Sequence, residues 1–189
     1  MVCTIKYRRV GCLRQLRLNL KTNGRFGRVK TVFRSRQIRR IRFWLGVVIA
    51  ALLVSGVTAF PLETELGWIV RNISWVQLPG LVAWLNHVHD GLAATNHTYP
   101  FLAYGTDWLA FAHIVLAILF IGPWRDPVRN KWVVQFGLIA CVGVLILALI
   151  AGPIRGIPFY WRMIDCSFGV IGAIPLLLCL KKIAELEQQ

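Results

Sequence analysis

Acidic residues are scarce in this chain. It has 189 residues, with eight Asp and Glu against 22 Lys and Arg, and no acid at all among residues 1–42. Those 42 residues hold 14 of the Lys and Arg, so they account for the whole formal charge of +14. Residues 43–189 carry eight basic and eight acidic groups and are neutral. A basic balance ordinarily points toward nucleic acid. Here it excludes that role for the body of the chain and leaves it only to the tail.

Patterned cysteine is also missing. The five cysteines, Cys3, Cys12, Cys141, Cys166 and Cys179, form no Cys-x-x-Cys, and the last three lie in apolar runs. An odd, unpatterned set excludes a disulfide scaffold and a thiolate zinc site, and a thiol in hydrocarbon acts as a small apolar group. No Gly-x-Ser-x-Gly, His-Glu-x-x-His or Walker sequence is present. His113 is the one histidine inside an apolar run, so a haem held by two histidines lacks its second ligand. No run carries the several acids of a metal-dependent lipid transferase. No cofactor and no metal are therefore expected.

What the chain has in excess is apolar length. Apolar residues make up 57% and the mean hydropathy is +0.59, above the roughly 45–50% of soluble domains. Four runs are long enough to cross a bilayer, which takes about 20 residues of helix. They are residues 43–60, 107–123, 132–152 and 160–180. The third is uncharged throughout, with Gln135 as its one amide. The first follows Arg39, Arg40 and Arg42 and has two readings, a retained anchor or a signal peptide cleaved after Ala59. Its length favours the anchor. The fold class expected is all-α, an integral membrane four-helix bundle.

The loop 61–105 has two apolar stripes at helical spacing: Leu62, Leu66, Ile69, Ile73 and Val76, then Leu81, Leu85, Val88 and Leu92. They predict two short amphipathic helices that lie on the membrane or cap the bundle. Pro79 suits the first turn of the second, and residues 95–105 read as a polar turn. Trp68, Trp75 and Trp84 suit an interface. Residues 1–42 read as a basic, disordered cytoplasmic tail or an upstream extension, the alternative being a surface-binding helix through Leu13, Leu16 and Leu20. Residues 183–189 read as a second tail. Four spans put both tails and residues 125–131 on one side, and the basic residues near span ends cluster there. By the positive-inside rule that side is cytoplasmic and the long loop faces out. Asn72-Ile-Ser74 and Asn96-His-Thr98 would then be outward sequons.

The candidate site is the outer mouth. Asp165 is an acid inside an apolar run, which is costly and marks a function or a pairing. Arg162 precedes it by three residues, so both project from one face, either as a structural ion pair or cap fixing the turn into the fourth span or as part of a polar site. Asp107 and Arg155 fall at the same depth, Tyr160 adds an aromatic wall, and His113 lies further along the second span, off the Asp107 face. An isolated histidine there is expected to bond to another helix, the rival roles being proton relay or ligand contact. His87, His89, Asp90 and His97 form a loose set in the loop, where only His87 and Asp90 have the spacing to share an ion. Gly137, Gly143, Gly169 and Gly172 are expected at close helix contacts.

Three stretches, Phe60-Pro-Leu-Glu-Thr-Glu-Leu66, Gly122-Pro-Trp-Arg-Asp-Pro-Val-Arg129 and Gly152-Pro-Ile-Arg-Gly-Ile-Pro-Phe-Tyr-Trp-Arg-Met-Ile-Asp-Cys-Ser-Phe-Gly169, resemble a group of small bacterial multi-pass membrane proteins. The resemblance covers roughly residues 40–180. It implies a bacterial inner membrane and brings no activity with it. The function expected is a non-enzymatic small-ligand binder or accessory subunit, with the bilayer and a membrane partner or second copy as partners. The alternatives are an integral enzyme acting on a lipid or quinone at the outer leaflet, and a small oligomeric transporter.

Overall fold

The computed structural model describes residues 34–188. Within them the chain is all-α, with four long apolar helices and two further helices between the first and second. The long ones are α1 (Arg34–Ala59), α4 (Tyr104–Arg125), α5 (Lys131–Ile154) and α6 (Phe159–Glu187). Between α1 and α4 lie α2 (Leu62–Asn72) and α3 (Pro79–Thr98), each followed by a short 3-10 segment, Ile73–Trp75 and Pro100–Ala103. The α5 helix, at about 1.5 Å per residue, is about 36 Å long, enough to cross hydrocarbon of about 30 Å.

The long helices alternate in direction. Gly56 of α1 faces Ala110 and Ile114 of α4, and Cys141 of α5 faces Gly169 of α6. Cys179 of α6 reaches the carbonyl of Ile41 in α1, which closes the ring. The proximal end of the bundle is where α1 begins, α4 turns into α5, and α6 finishes. The distal end carries α2 and α3. The hydrophobic cluster draws on all four long helices and sits toward the proximal end, with Ile41, Leu45, Phe120, Val134, Leu176 and Ile183 among its members. Toward the distal end the buried positions of the long helices are small, among them Gly56, Ala110, Ala148 and Gly152. Many large apolar side chains point outward, Ile139 at 70% and Leu147 at 66% exposure. That inversion suits lipid as the solvent and would be an aggregation hazard in water.

Two helices run further than their apolar runs suggest. Residues 34–42, expected in a tail, form the first turns of α1. Gln37, Ile41 and Leu45 recur at helical spacing and are all buried, while Arg36, Arg39 and Arg40 stay exposed. The Leu13–Leu20 stripe lies outside the described residues. At its other end α6 continues past Lys182 because Gln37 Nε2 donates to Glu185 (2.7 Å) and Lys131 pairs with Glu187 (2.7 Å).

Turn chemistry sets the connections. Arg42 donates from α1 to the carbonyls of Trp124 and Arg125 (3.0 and 3.2 Å) and lies over the Trp124 ring, which satisfies acceptors that the end of α4 leaves open. Asn130 Nδ2 donates to the carbonyls of Gly122 and Asp126 and shapes the α4–α5 turn. The α5–α6 turn is a Schellman motif. The N–H of Ile157 donates to Gly152 and that of Gly156 to Pro153, with Gly156 at φ +71°. Pro158 then starts α6. The predicted loop helices form, with Pro79 in the first turn of α3. That helix is longer than expected, since residues 95–98 continue it rather than turning. Pro100 ends it by disfavouring helical backbone at the residue before it. Gly143 is a correction: nothing stands within 4 Å of a Cβ added there, whereas Gly137, Gly169 and Gly172 do meet neighbours.

Candidate functional site

At the distal end two contacts tie α3 to the α5–α6 hairpin, and a third closes the hairpin on itself. Tyr160 sits in the first turn of α6, and its hydroxyl donates to the carbonyl of Gly80 in the first turn of α3 (3.0 Å). One turn along α3, Trp84 packs near Trp161, with ring centroids 6.5 Å apart. Arg162 turns back across α5. A Cβ added at Gly152 would collide with its Cγ and Cδ, and its guanidinium lies over the Phe159 ring, 5.3 Å from the centroid.

This geometry corrects the expected pairing. The ion pair among the described residues is Lys131–Glu187, beside a His89–Asp90 contact, so Arg162 and Asp165 do not form one. The helical register does put them on one side, but the space above Gly152 draws the arginine stem toward α5. Arg162 Nε is buried without a hydrogen-bond partner, and so is Trp84 Nε1. Both are donors. Such groups ordinarily find an acceptor, and each exception calls for an explanation.

No hydrogen bond or ion pair joins any two of the six expected site residues. Asp107 lies in the first turn of α4, partly buried, and Arg155 is exposed at the carboxyl end of α5. Asp165 is partly buried on α6. His113 differs from expectation. Its Nδ1 contacts the carbonyl of Leu109 on its own helix (2.8 Å) rather than another helix. Its Cβ instead lies against Gly56 of α1.

The loop histidines are also apart. His87 stacks near Trp84, and His89 fills the space over Gly67 of α2 while contacting Asp90 (3.4 Å). Among the described residues no three His, Cys, Asp or Glu side chains group as a metal site would need.

The residues alone did not reveal a second feature. A half-open cavity of about 250 Å³ lies where the α1–α2 turn, the second half of α3 and the start of α4 meet. Phe60, Glu63, Thr95, Asn96, Leu102 and Thr106 are among its lining residues. Asn96 Nδ2 donates to Glu63 across it (2.6 Å). The two residues are 33 positions apart, on elements that each read separately as amphipathic, so no spacing rule connects them. Asn96 also belongs to one of the sequons, and here its amide is committed to Glu63. Comparison of the chain with protein-family models, with curated proteins and with solved structures gives no match.

Proposed function

We propose that the chain is a non-enzymatic polytopic membrane protein that binds a small ligand at its distal mouth. The observation that carries this reading is Arg162. Its Nε is buried and unpartnered, and no carboxylate comes within 4 Å of its guanidinium. The residue as a whole is half-buried, but a buried donor without an acceptor is costly, and an anionic group on a ligand would supply that acceptor together with a counter-charge. Arg is suited to the task because its planar donors match carboxylate or phosphate oxygens. Trp84 offers a second free donor, Tyr160 ties α3 to α6, and Asp107, Arg155 and Asp165 add polar groups at the rim. His113 lies about 9 Å further along α4 than Asp107, from six residues of helix.

The protein resides in the inner membrane of a bacterium, with both termini in the cytoplasm. Charge supports the orientation. The proximal end gathers Arg36, Arg39, Arg40, Arg125, Arg129, Lys181 and Lys182 without an ion pair among the described residues. At the distal end acids outnumber bases, with Glu63, Glu65, Asp90, Asp107 and Asp165 against Arg71, Arg155 and Arg162. The resemblance of the three quoted stretches supports the bacterial setting. The test is purification in mild detergent, with mass spectrometry of what co-purifies with the native chain and with Arg162→Gln. An anionic species enriched over bulk lipid in the native sample and lost in the variant is expected. The same bulk lipid in both would overturn the reading.

A further inference from the structure

The cavity beside Glu63 is separate from the Arg162 mouth, and none of the six candidate residues lines it. We infer that it is a binding site for a small organic cation, specifically a primary ammonium group on a short apolar body.

Charge decides the sign. Glu63 is the one ionisable side chain among the lining residues, and no Lys, Arg or His is among them. The amino end of α2 also faces this space, since Leu62, Glu63 and Thr64 line it and Pro61 leaves that end without a side-chain cap. A helix amino terminus counts for about +0.5 of a charge, against −1 for the carboxylate. The balance stays negative, so an anion is disfavoured and a cation is drawn in.

The polar atoms suit an ammonium rather than a metal ion. Asn96 occupies one oxygen of Glu63, leaving the other free to accept. Thr106 donates its hydroxyl proton to the carbonyl of Ala103 (2.6 Å), so its oxygen remains an acceptor. Thr95 adds a hydroxyl. An ammonium has three N–H donors and needs three acceptors in this kind of arrangement. One carboxylate is too few ligands for a hard divalent cation, which takes six or more oxygens.

The rest of the wall is apolar. Leu92 and Leu102 can cover a short alkyl chain, and the Phe60 ring favours a cation near its face. The volume of about 250 Å³ falls below the roughly 300–1,000 Å³ of sites for drug-sized ligands, so the ligand is small. The site spans the α1–α2 turn, α3 and α4, so occupancy would hold the loop helices to the bundle.

The experiment uses the full chain in detergent. Thermal unfolding is followed with n-butylammonium, n-butanol or n-butyrate at matched ionic strength. The ammonium is expected to raise the midpoint, and the neutral and anionic isosteres to leave it unmoved. Glu63→Gln should weaken the ammonium effect about tenfold, the loss of a partly desolvated charge partner. Ala103→Leu should abolish it by filling the cavity with the carboxylate intact, so the proposal can still fail if Glu63→Gln does not fold. Neither variant should alter what co-purifies through Arg162. Equal shifts with all three probes, or an ammonium shift that survives Ala103→Leu, would overturn the assignment.

Discussion

Gly169 offers the sharpest test of the helix packing. A Cβ there would sit 2.7 Å from the backbone oxygen of Cys141, where ordinary contact begins near 3.4 Å. The shortfall is about 0.7 Å. The obstructing atom is a carbonyl of α5, fixed by its own helix, so it cannot swing aside as a side chain would. Leu145 Cδ2 at 3.3 Å closes the other side. Gly169→Ala must therefore push α5 and α6 apart. Overpacking of this kind costs about 1–3 kcal/mol, while alanine gains about 0.8–1.0 kcal/mol in helix propensity. Gly143→Ala makes the same chemical change in a neighbouring helix where nothing lies within 4 Å, so it collects the propensity gain alone. The propensity term cancels between the two variants, and the difference isolates the steric term, about 1–3 kcal/mol. Unfolding in dodecyl maltoside micelles by titration with sodium dodecyl sulfate, followed by circular dichroism, measures it. Gly169→Ala should fall below the native chain or close to it, and Gly143→Ala should match or exceed it. If Gly169→Ala is as stable as Gly143→Ala, the close approach of α5 and α6 is wrong.

Arg42→Gln should destabilise the bundle by about 1–3 kcal/mol, since it removes charged hydrogen bonds to two helix-end carbonyls and a contact with Trp124. Arg42→Lys should restore only part of this, because an ammonium lacks the forked donor geometry, and the same titration reads both. Tyr160→Phe should cost about 0.5–1.5 kcal/mol and raise amide exchange at the start of α3, near Gly80, more than at the centre of α5. Glu187→Gln should cost less than about 1 kcal/mol, because its partner Lys131 and Glu187 itself are each about a third exposed and such pairs contribute little. The effect should shrink further in high salt.

The sequence read most clearly where hydrocarbon dictates the choice of residues. An uncharged run such as residues 132–152 has no other home, and α5 contains it. The gap between the runs 132–152 and 160–180 places the α5–α6 turn, but nothing in the spacing foretells its Schellman hydrogen bonds. Helix ends read worse. Charge hid the start of α1, where the buried stripe of Gln37, Ile41 and Leu45 is interleaved with arginines that can stay in water while the helix continues.

The site was legible as a set of residue types and not as an arrangement. Spacing along α6 relates Arg162 to Asp165, but it cannot show that Gly152, on another helix, leaves room for the arginine stem. The same limit hid the Glu63–Asn96 bond, which depends on α2 and α3 packing antiparallel.

Labelling of single cysteines tests most directly whether the four helices cross a bilayer in alternating directions. In a chain freed of its native cysteines, Val128→Cys marks the α4–α5 turn and Arg155→Cys the α5–α6 turn, both exposed positions. A membrane-impermeant maleimide applied to intact cells should modify the cysteine at 155 and spare the one at 128 until the membrane is opened. Modification of both, or of neither, in intact cells would place the two turns on one face and contradict the four-span arrangement.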